Sequence, residues 1–442
     1  MPRKLLVVYI VAFLVSVGLS FHWHFRPRVD AGAYDSIGWN VAQGLGYVEH
    51  AENAQHPEHD DAIIRVGPLY EFFLAILYVI FGHHVWVVWV VQALLHVGST
   101  FLIYNIAKEV FGDENTTIGF IAATVYAFWP DLLFANSVLL SEPLFLFILL
   151  LAVLLTLRQM SEQSHLLLML VGALWGLAIL VRPTALLPFV AIVGMYAYQR
   201  KFQQAVLMFV MAFIIIFPWS YAMSARYHSF ILTTTAGGLD LWVGNNPQAT
   251  GGFDKTPEIQ KFRNEHLSVE VDTVGRQKYF KFMYQHPFQF LELQVRKTAG
   301  YFSLVRPTGY WLDLQFFPID RILLLVSSAL WTAILFISGI AGGIFFLYNE
   351  WKDVRARLFV VFGVLQPLAV IPILVDSRYR YPFFPFLALL SGYLIWKWWT
   401  TPFLRRFMNQ IVMYTVIFLI TATGYDILRS GGDVFAKIKK IL

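Results

Sequence analysis

Apolar runs of membrane-spanning length recur along this chain from Leu5 to Ile420, and no other feature narrows its fold so far. A helix of roughly 20 apolar residues crosses the hydrocarbon layer of a bilayer, and in lipid every backbone polar group must find its partner inside the protein. The expected fold class is therefore an all-α polytopic membrane protein. Charged residues make up only 14% of the 442 positions, against about 25% in soluble domains, which excludes a soluble globular enzyme. The net charge of +5 is modest and scattered, so it bears on orientation, and no nucleic-acid partner is expected. Cysteine is absent, which removes disulfides and thiolate metal sites.

Candidate spans lie at 5–21, 84–107, 117–130, 142–157, 165–181, 184–198, 204–222, 322–347, 357–375, 382–398 and 407–424. Arg3 and Lys4 precede the first, and no small-x-small cleavage site follows at His22-Trp23-His24, so an uncleaved first helix with a cytoplasmic N-terminus is expected. The apolar stretch from Pro68 to Gly82 is only about 22 Å long as a helix. If it does not cross, the cytoplasmic loops gather Lys108, Arg158, Arg200, Lys201, Lys352, Arg355, Arg357, Lys397, Arg405 and Arg406, as the positive-inside rule requires. We therefore read 68–82 as a re-entrant or interfacial helix.

On that reading the loop 22–67, the long segment 223–317 and the turn from Asp376 to Tyr381 share the outer face. The chain divides into an N-terminal transmembrane module, 1–222, the long outer loop, 223–317, and the C-terminal helices with a short tail, 318–442. Within the long loop a helix is expected from Pro257 to Tyr284, and aromatics crowd 280–317, as in helices lying along a membrane interface.

The residues able to do chemistry cluster in these outer segments. Asp30 stands just beyond the first span. A carboxylate there could act as a general base on an acceptor hydroxyl, or simply cap a short helix over 31–43. Arg65, leading into a helix that Pro68 can start, suits a phosphate; snorkelling to lipid headgroups would account for it as well. Glu142 opens a span at membrane depth, where a carboxylate is costly and is either functional or paired with an arginine such as Arg182. Asp376-Ser-Arg378-Tyr-Arg380-Tyr-Pro382 carries two arginines at a helix start, against the topological bias, and forms a plausible phosphate clamp. His56 and His59, beside Glu58, Asp60 and Asp61, offer imidazole and oxygen ligands for a divalent metal ion, although the same run reads equally as a polar loop. In Gly244-Asn245-Asn246-Pro247 the amides suit sugar hydroxyls, and an Asn-Pro turn serves as well.

Taken in order, Asp30 with Tyr34, Gly46-Tyr47, Arg65…Pro68-Leu-Tyr70, Ser141-Glu142, Arg182-Pro-Thr184, Gly244-Asn-Asn-Pro247 and Ser377-Arg-Tyr-Arg-Tyr-Pro382 resemble the polytopic glycosyltransferases of the GT-C fold. The nearest branches are glycosyltransferase family 39 (the protein O-mannosyltransferases) and the aminoarabinose transferases. The resemblance implies a GT-C-type bundle of about 11–13 transmembrane helices, a polyprenyl-phosphate sugar as donor, and an active site on the non-cytoplasmic face. It casts Asp30 as base in an inverting displacement and Glu142 as the second acid, orienting the acceptor or helping to hold a metal. Arg65 and Arg378 would meet the lipid phosphate, with Arg380 and Arg182 as further candidates. Tyr34, Tyr70, Asn245 and Asn246 would line the sugar or the acceptor, which could be protein, lipid or glycan. A bacterial inner membrane is the expected home.

Two departures limit the transfer of a specific activity. Ala31 follows Asp30 where the O-mannosyltransferases carry an Asp-Glu pair. Only about 18 residues follow the last candidate span, where the aminoarabinose transferases have a sizeable soluble domain. A polymerase or ligase of lipid-linked saccharides would use the same donor and arginines without needing Asp30. A flippase or transporter would want ionisable groups deep in several spans, and 165–181, 204–222 and 322–347 are almost free of them.

Overall fold

A computed structural model describes residues 3–65, 67–112, 115–253, 255–306 and 318–441. Among these residues the secondary structure is helical, without strands. In chain order the helices are α1 (Arg3–Trp23), α2 (Asp30–Ala42), α3 (Pro68–Phe81), α4 (Val85–Phe111), α5 (Thr116–Ala127), α6 (Pro130–Ala135), α7 (Glu142–Glu162), α8 (His165–Val181) and α9 (Leu186–Tyr198). There follow α10 (Phe202–Tyr227), α11 (Ala236–Gly244), α12 (Pro257–Glu265), α13 (Ser268–Gln285), α14 (Pro287–Phe302), α15 (Pro318–Glu350), α16 (Val354–Val370), α17 (Phe384–Thr400) and α18 (Arg405–Ile441). Six of them, α1, α4, α7, α10, α15 and α18, are long and apolar enough to cross a membrane, and α3, α5, α8 and α9 are shorter apolar helices. The protein is a multi-pass integral membrane protein.

The bundle shows how such a chain treats lipid as its solvent. Large apolar side chains point outward as well as inward: Leu6, Ile10 and Leu14 on α1, and Phe209, Phe213 and Phe217 on α10, are all exposed. Polar side chains turn inward, where they find one another. Asn136 donates to Ser16 Oγ at 3.1 Å and Ser20 to Ser137 Oγ at 3.0 Å, joining α1 to the chain after α6. Gln92 on α4 donates to the carbonyls of Asn136 and Val138 at 2.9 Å and accepts from Tyr70 on α3 at 2.8 Å.

Local rules set the helix ends near the loops. Pro68 occupies the first turn of α3, where its missing N–H costs nothing, and Gly82 ends the helix in a conformation of φ 79° that other residues resist. Thr256 caps α12 by accepting from Ile259 N, with Pro257 behind it.

Two expectations about helices are corrected. The helix expected over 257–284 is two helices, because His266 and Leu267 are extended and let α13 turn to lay Val271 and Gly275 against α11. Asp30 is not a cap: it is the first residue of α2, the cap position is Val29, and no side chain caps the helix. The stretch 307–317, part of the expected aromatic run, lies outside the described residues.

Candidate active site at the loop-bearing end

The loops converge through the segment between α10 and α15. Thr235 N donates to Ile63 O at 3.0 Å, which ties the chain before α11 to the first loop. Val375 N donates to Gly251 O at 2.9 Å, which ties the chain after α11 to the residues preceding Arg378. Gly244 at the end of α11 packs so closely on the carbonyl of Ile373 that a Cβ would overlap it, and Gly238 and Gly275 bring α11 and α13 into the same kind of contact.

At the centre stands Asp30. Arg378 Nη2 donates to its Oδ2 at 2.6 Å, and Arg65 Nη1 lies 3.7 Å from its Oδ1. Arg65 is itself fixed by Glu49, through Nε at 3.0 Å and Nη2 at 2.6 Å. Burial alone would raise the Asp30 carboxyl, but the Arg378 guanidinium and its hydrogen bond, with Arg65 and Arg182 nearby, hold it below the usual carboxylate range. Val29, next to it, has φ 53°, a positive value that a β-branched residue rarely adopts.

Glu142 and Arg182 form a buried pair at 2.7 Å, and Arg182 also donates to Ser141 Oγ at 3.3 Å. The paired alternative raised for Glu142 is thus the arrangement found. The Arg182 guanidinium stands 5.7 Å from the ring of Tyr379, and that of Arg378 stands 5.5 Å from the same ring, so the two cations share one aromatic neighbour. Tyr34 is buried beside the group, edge-on to Tyr70 at 5.4 Å; burial, then the charge of Asp30, pushes its hydroxyl well above its ordinary pKa.

Other sequence candidates are employed elsewhere. Arg380 points away: its guanidinium donates to Ser303 O at 3.0 Å and Gly300 O at 2.7 Å and lies over Phe336. The reason is geometric, since Ser377–Phe383 is a 3₁₀ turn and residues two apart on such a turn face different directions. Asn245 donates to Leu241, Pro372 and Ile373 carbonyls and accepts from Gln294 and Lys297. Asn246 donates to Trp242 and Val243 carbonyls and accepts from Gln248 N. Both amides are engaged within the chain, Asn245 with backbone and side chains and Asn246 with backbone, and these bonds hold α11 in place. Tyr70 likewise spends its hydroxyl on Gln92.

The metal expectation fails the geometry. His56 and His59 are exposed, and among the described residues each pairs with Glu58, at 3.4 and 3.9 Å. Asp60 accepts from Glu49 N, His50 N, Asn53 and Ala62 N, which consumes its oxygens. Among the described residues no three His, Cys, Asp or Glu side chains are grouped to hold a metal ion.

Two residues absent from the sequence reading belong here. Asp240 on α11 is half-buried and lies within electrostatic reach of Arg378, Asp30, Lys255 and Arg182. Burial pushes its carboxyl up to about 7, with Asp30 adding to the rise and Arg378 opposing it. Lys297 on α14 is buried and donates to Asn245 Oδ1 at 2.7 Å, Pro372 O at 2.9 Å and Ile373 O at 3.2 Å; burial lowers its pKa to about 7. The available signal for Asp240 was one acid inside the apolar string Gly238-Leu-Asp-Leu-Trp-Val243.

Comparison with known proteins agrees with this architecture. The family model described as dolichyl-phosphate-mannose-protein mannosyltransferase matches residues 61–221. Two structures of the oligosaccharyltransferase AglB from Archaeoglobus fulgidus share the fold. One, in complex with an inhibitory peptide and a dolichol-phosphate, overlays with a TM-score of 0.52 at 15% identity, over 98% of this chain and 56% of that one. The other, tethered to an acceptor peptide, has a TM-score of 0.51 at 14% identity, over 99% and 55%. ArnT from Cupriavidus metallidurans, bound to undecaprenyl phosphate, overlays at 0.42 with 15% identity, over 89% and 77%. The chain thus spans little more than half the length of AglB. No curated protein sequence matches it. The fold is that of the GT-C membrane proteins, as the ordered motifs implied.

Proposed function

We propose that this protein is a membrane glycosyltransferase that moves a sugar from a polyprenyl-phosphate donor to an acceptor on the non-cytoplasmic face, with inversion at the anomeric carbon. The observation that carries the reading is the convergence of Arg378 and Arg65 on the single carboxylate of Asp30. Guanidiniums so placed suit the oxygens of a phosphodiester equally well. A lipid-linked donor needs such a clamp at the rim of an apolar bundle, where its prenyl chain stays in lipid and its sugar reaches water. The dolichol-phosphate held by AglB supports the same donor class.

In the transfer, the acceptor oxygen would form a bond to the anomeric carbon while the bond from that carbon to the phosphate oxygen breaks. The electron pair leaves with the polyprenyl phosphate, which gains a negative charge, and Arg378 and Arg65 stand where that charge develops. Asp30 is bonded to Arg378 and close to Arg65; a phosphodiester competes with it for those guanidiniums, and once they turn to the phosphate Asp30 is the base that takes the proton of the acceptor hydroxyl. No step is assigned to a metal.

The test is release of radiolabelled sugar from a panel of polyprenyl-phosphate sugars by the purified protein, with extract of the source membranes as acceptor. Turnover of one donor, lost in Arg378→Ala, supports the reading. A protein that neither binds nor turns over any of the donors overturns it.

A further inference from the structure

The end of the bundle remote from Asp30 holds a cavity that sugar transfer does not use. Helix α7 runs 21 residues from Glu142, beside Arg182, to Glu162, a span of about 30 Å. At its far end α7, α8, α9 and α10, with the turns between them, line a cavity of about 170 Å³. A single water needs only ~10–15 Å³, so the space admits a molecule of several heavy atoms. The orientation expected from the basic loops puts this end at the cytoplasmic surface.

Leu168 and Tyr196 are buried in its wall. Its polar lining is four amides, Gln159, Gln163, Gln199 and Gln204, with the cation Lys201 and the imidazole of His165. No carboxylate is among the lining residues: Glu162 is exposed and outside them, and Arg158 nearby is already paired with Glu109 at 2.9 Å.

These amides are unengaged, unlike those of Gln92 and Asn245, which are consumed inside the protein. Gln159 is 4% exposed, yet its Oε1 has no hydrogen-bond partner. Among the described residues the side chains of Gln163, Gln199 and Gln204 make no hydrogen bond either, and Lys201 Nζ makes no ion pair and lies 5.9 Å from the Tyr196 ring. A buried acceptor without a donor is rare in a native fold, and one that lines a cavity is open to a donor from outside. The rim is also unusual in its backbone. Gln163 is left-handed at φ 50° and Arg200 has φ 59°, values that glycine adopts freely and other residues only at a cost.

The lining defines the ligand. An ammonium and several amide N–H groups, with no carboxylate, suit the oxygens of a phosphate. Gln159 Oε1 can only accept, so the same ligand has to bring an O–H or N–H. Leu166, next to His165, and Phe202, next to Lys201, are exposed apolar residues, so the rim borders lipid-facing surface. We propose that this cavity binds a glycerophosphate group, with its phosphate on Lys201 and the rim amides and its free hydroxyl donating to Gln159 Oε1. The group is the headgroup of an anionic phospholipid or a free glycerol phosphate. The site stands apart from the glycosyltransferase reading.

The experiment measures binding of radiolabelled phosphatidylglycerol and phosphatidylcholine, in mixed micelles, to the delipidated full chain, with glycerol phosphate as competitor. Wild type should bind phosphatidylglycerol saturably and about tenfold more tightly than phosphatidylcholine, whose headgroup carries a phosphate but no donor for Gln159. Lys201→Gln should weaken phosphatidylglycerol by about tenfold, the worth of a hydrogen bond to a charged group. Gln159→Leu should narrow the preference over phosphatidylcholine. Lys201 is half-exposed, so its variant carries the test if Gln159→Leu does not fold. Displacement by glycerol phosphate identifies a soluble ligand; saturable lipid binding that it does not displace identifies a lipid headgroup. Either supports the proposal. A wild type that binds neither phosphatidylglycerol nor glycerol phosphate saturably overturns it, as does binding indifferent to both substitutions. No sugar donor enters this assay, so its failure leaves the glycosyltransferase reading intact, and a protein inactive on every donor leaves this site intact.

Discussion

Arg378 Nη2 and Asp30 Oδ2 lie 2.6 Å apart across 348 residues of sequence, so the first loop and the last turn of the site are joined by one charge-assisted hydrogen bond. Arg378→Ala leaves Asp30 with Arg65 at 3.7 Å and the more distant Arg182. Sugar release should fall by roughly 10²–10³-fold, the usual cost of removing a donor aimed at developing charge. Arg378→Lys should restore only part, because an ammonium lacks the planar fork. Unchanged turnover in the alanine variant would exclude a phosphate role for this residue.

The buried Glu142–Arg182 pair should behave as a structural unit. Removing one partner strands a charge and should cost about 3–5 kcal/mol, whereas Glu142→Gln with Arg182→Met should cost less than the sum of the single changes. Unfolding in detergent, followed for the two singles and the double, reads this out. Additive losses would mean that the two residues act separately.

Asp240 also links stability to pH. Its carboxyl ionises at about 7 in the fold, against about 3.9 in an unfolded chain. Between those values the folded state binds more protons, so its stability falls as pH rises. Asp240→Asn should match the wild type in unfolding temperature at pH 4 and exceed it at pH 8. Equal temperatures at both pH values would show that the site does not disfavour the Asp240 charge.

Lys297→Met removes three hydrogen bonds from the junction of α11 with Pro372 and Ile373. Each of those oxygens keeps a second donor, from Asn245 or Gln294, so the loss should be about 0.5–1.5 kcal/mol for each bond, the net worth of an ordinary hydrogen bond. The wild-type lysine titrates near 7 in the fold against 10.5 ordinarily, so the unfolded chain binds more protons across that range and wild-type stability rises with pH there. Thermal unfolding of the variant at pH 7 and pH 10 should lack that rise.

Sidedness is open to a direct check because the chain contains no cysteine. Single cysteines at the exposed positions Gln55 and Gln203 should react with a membrane-impermeant maleimide from opposite faces. Labelling from one face would show that α3 crosses the membrane.

The six long spans were legible because lipid demands the same thing of every segment, and apolar length alone announces it. Arg65 and Arg378 were legible as cations out of place at helix starts, and Pro68 as a helix start. What joins them was not, since nothing local in Asp30-Ala31-Gly32 reveals a partner 348 positions away. Arg380 was misplaced because a motif read as a string hides that a 3₁₀ turn sends neighbours in different directions. Asn245 and Asn246 read as sugar ligands because an amide's partners are invisible until the backbone of Pro372 and Ile373 comes alongside. Asp240 was missed for a related reason: a single acid between leucines looks like the wet side of a small helix until Asp30 and Arg378 are seen near it.

The bond from Val375 N to Gly251 O, with the Asn245 and Lys297 bonds to Pro372 and Ile373, bears on how chains of this fold could be recombined. Residues 228–306 and 372–378 are remote in sequence but form a single seam. A chimera that exchanges the long loop alone would cut α11 loose from the segment that leads into Arg378. The two pieces exchanged together should keep that seam intact.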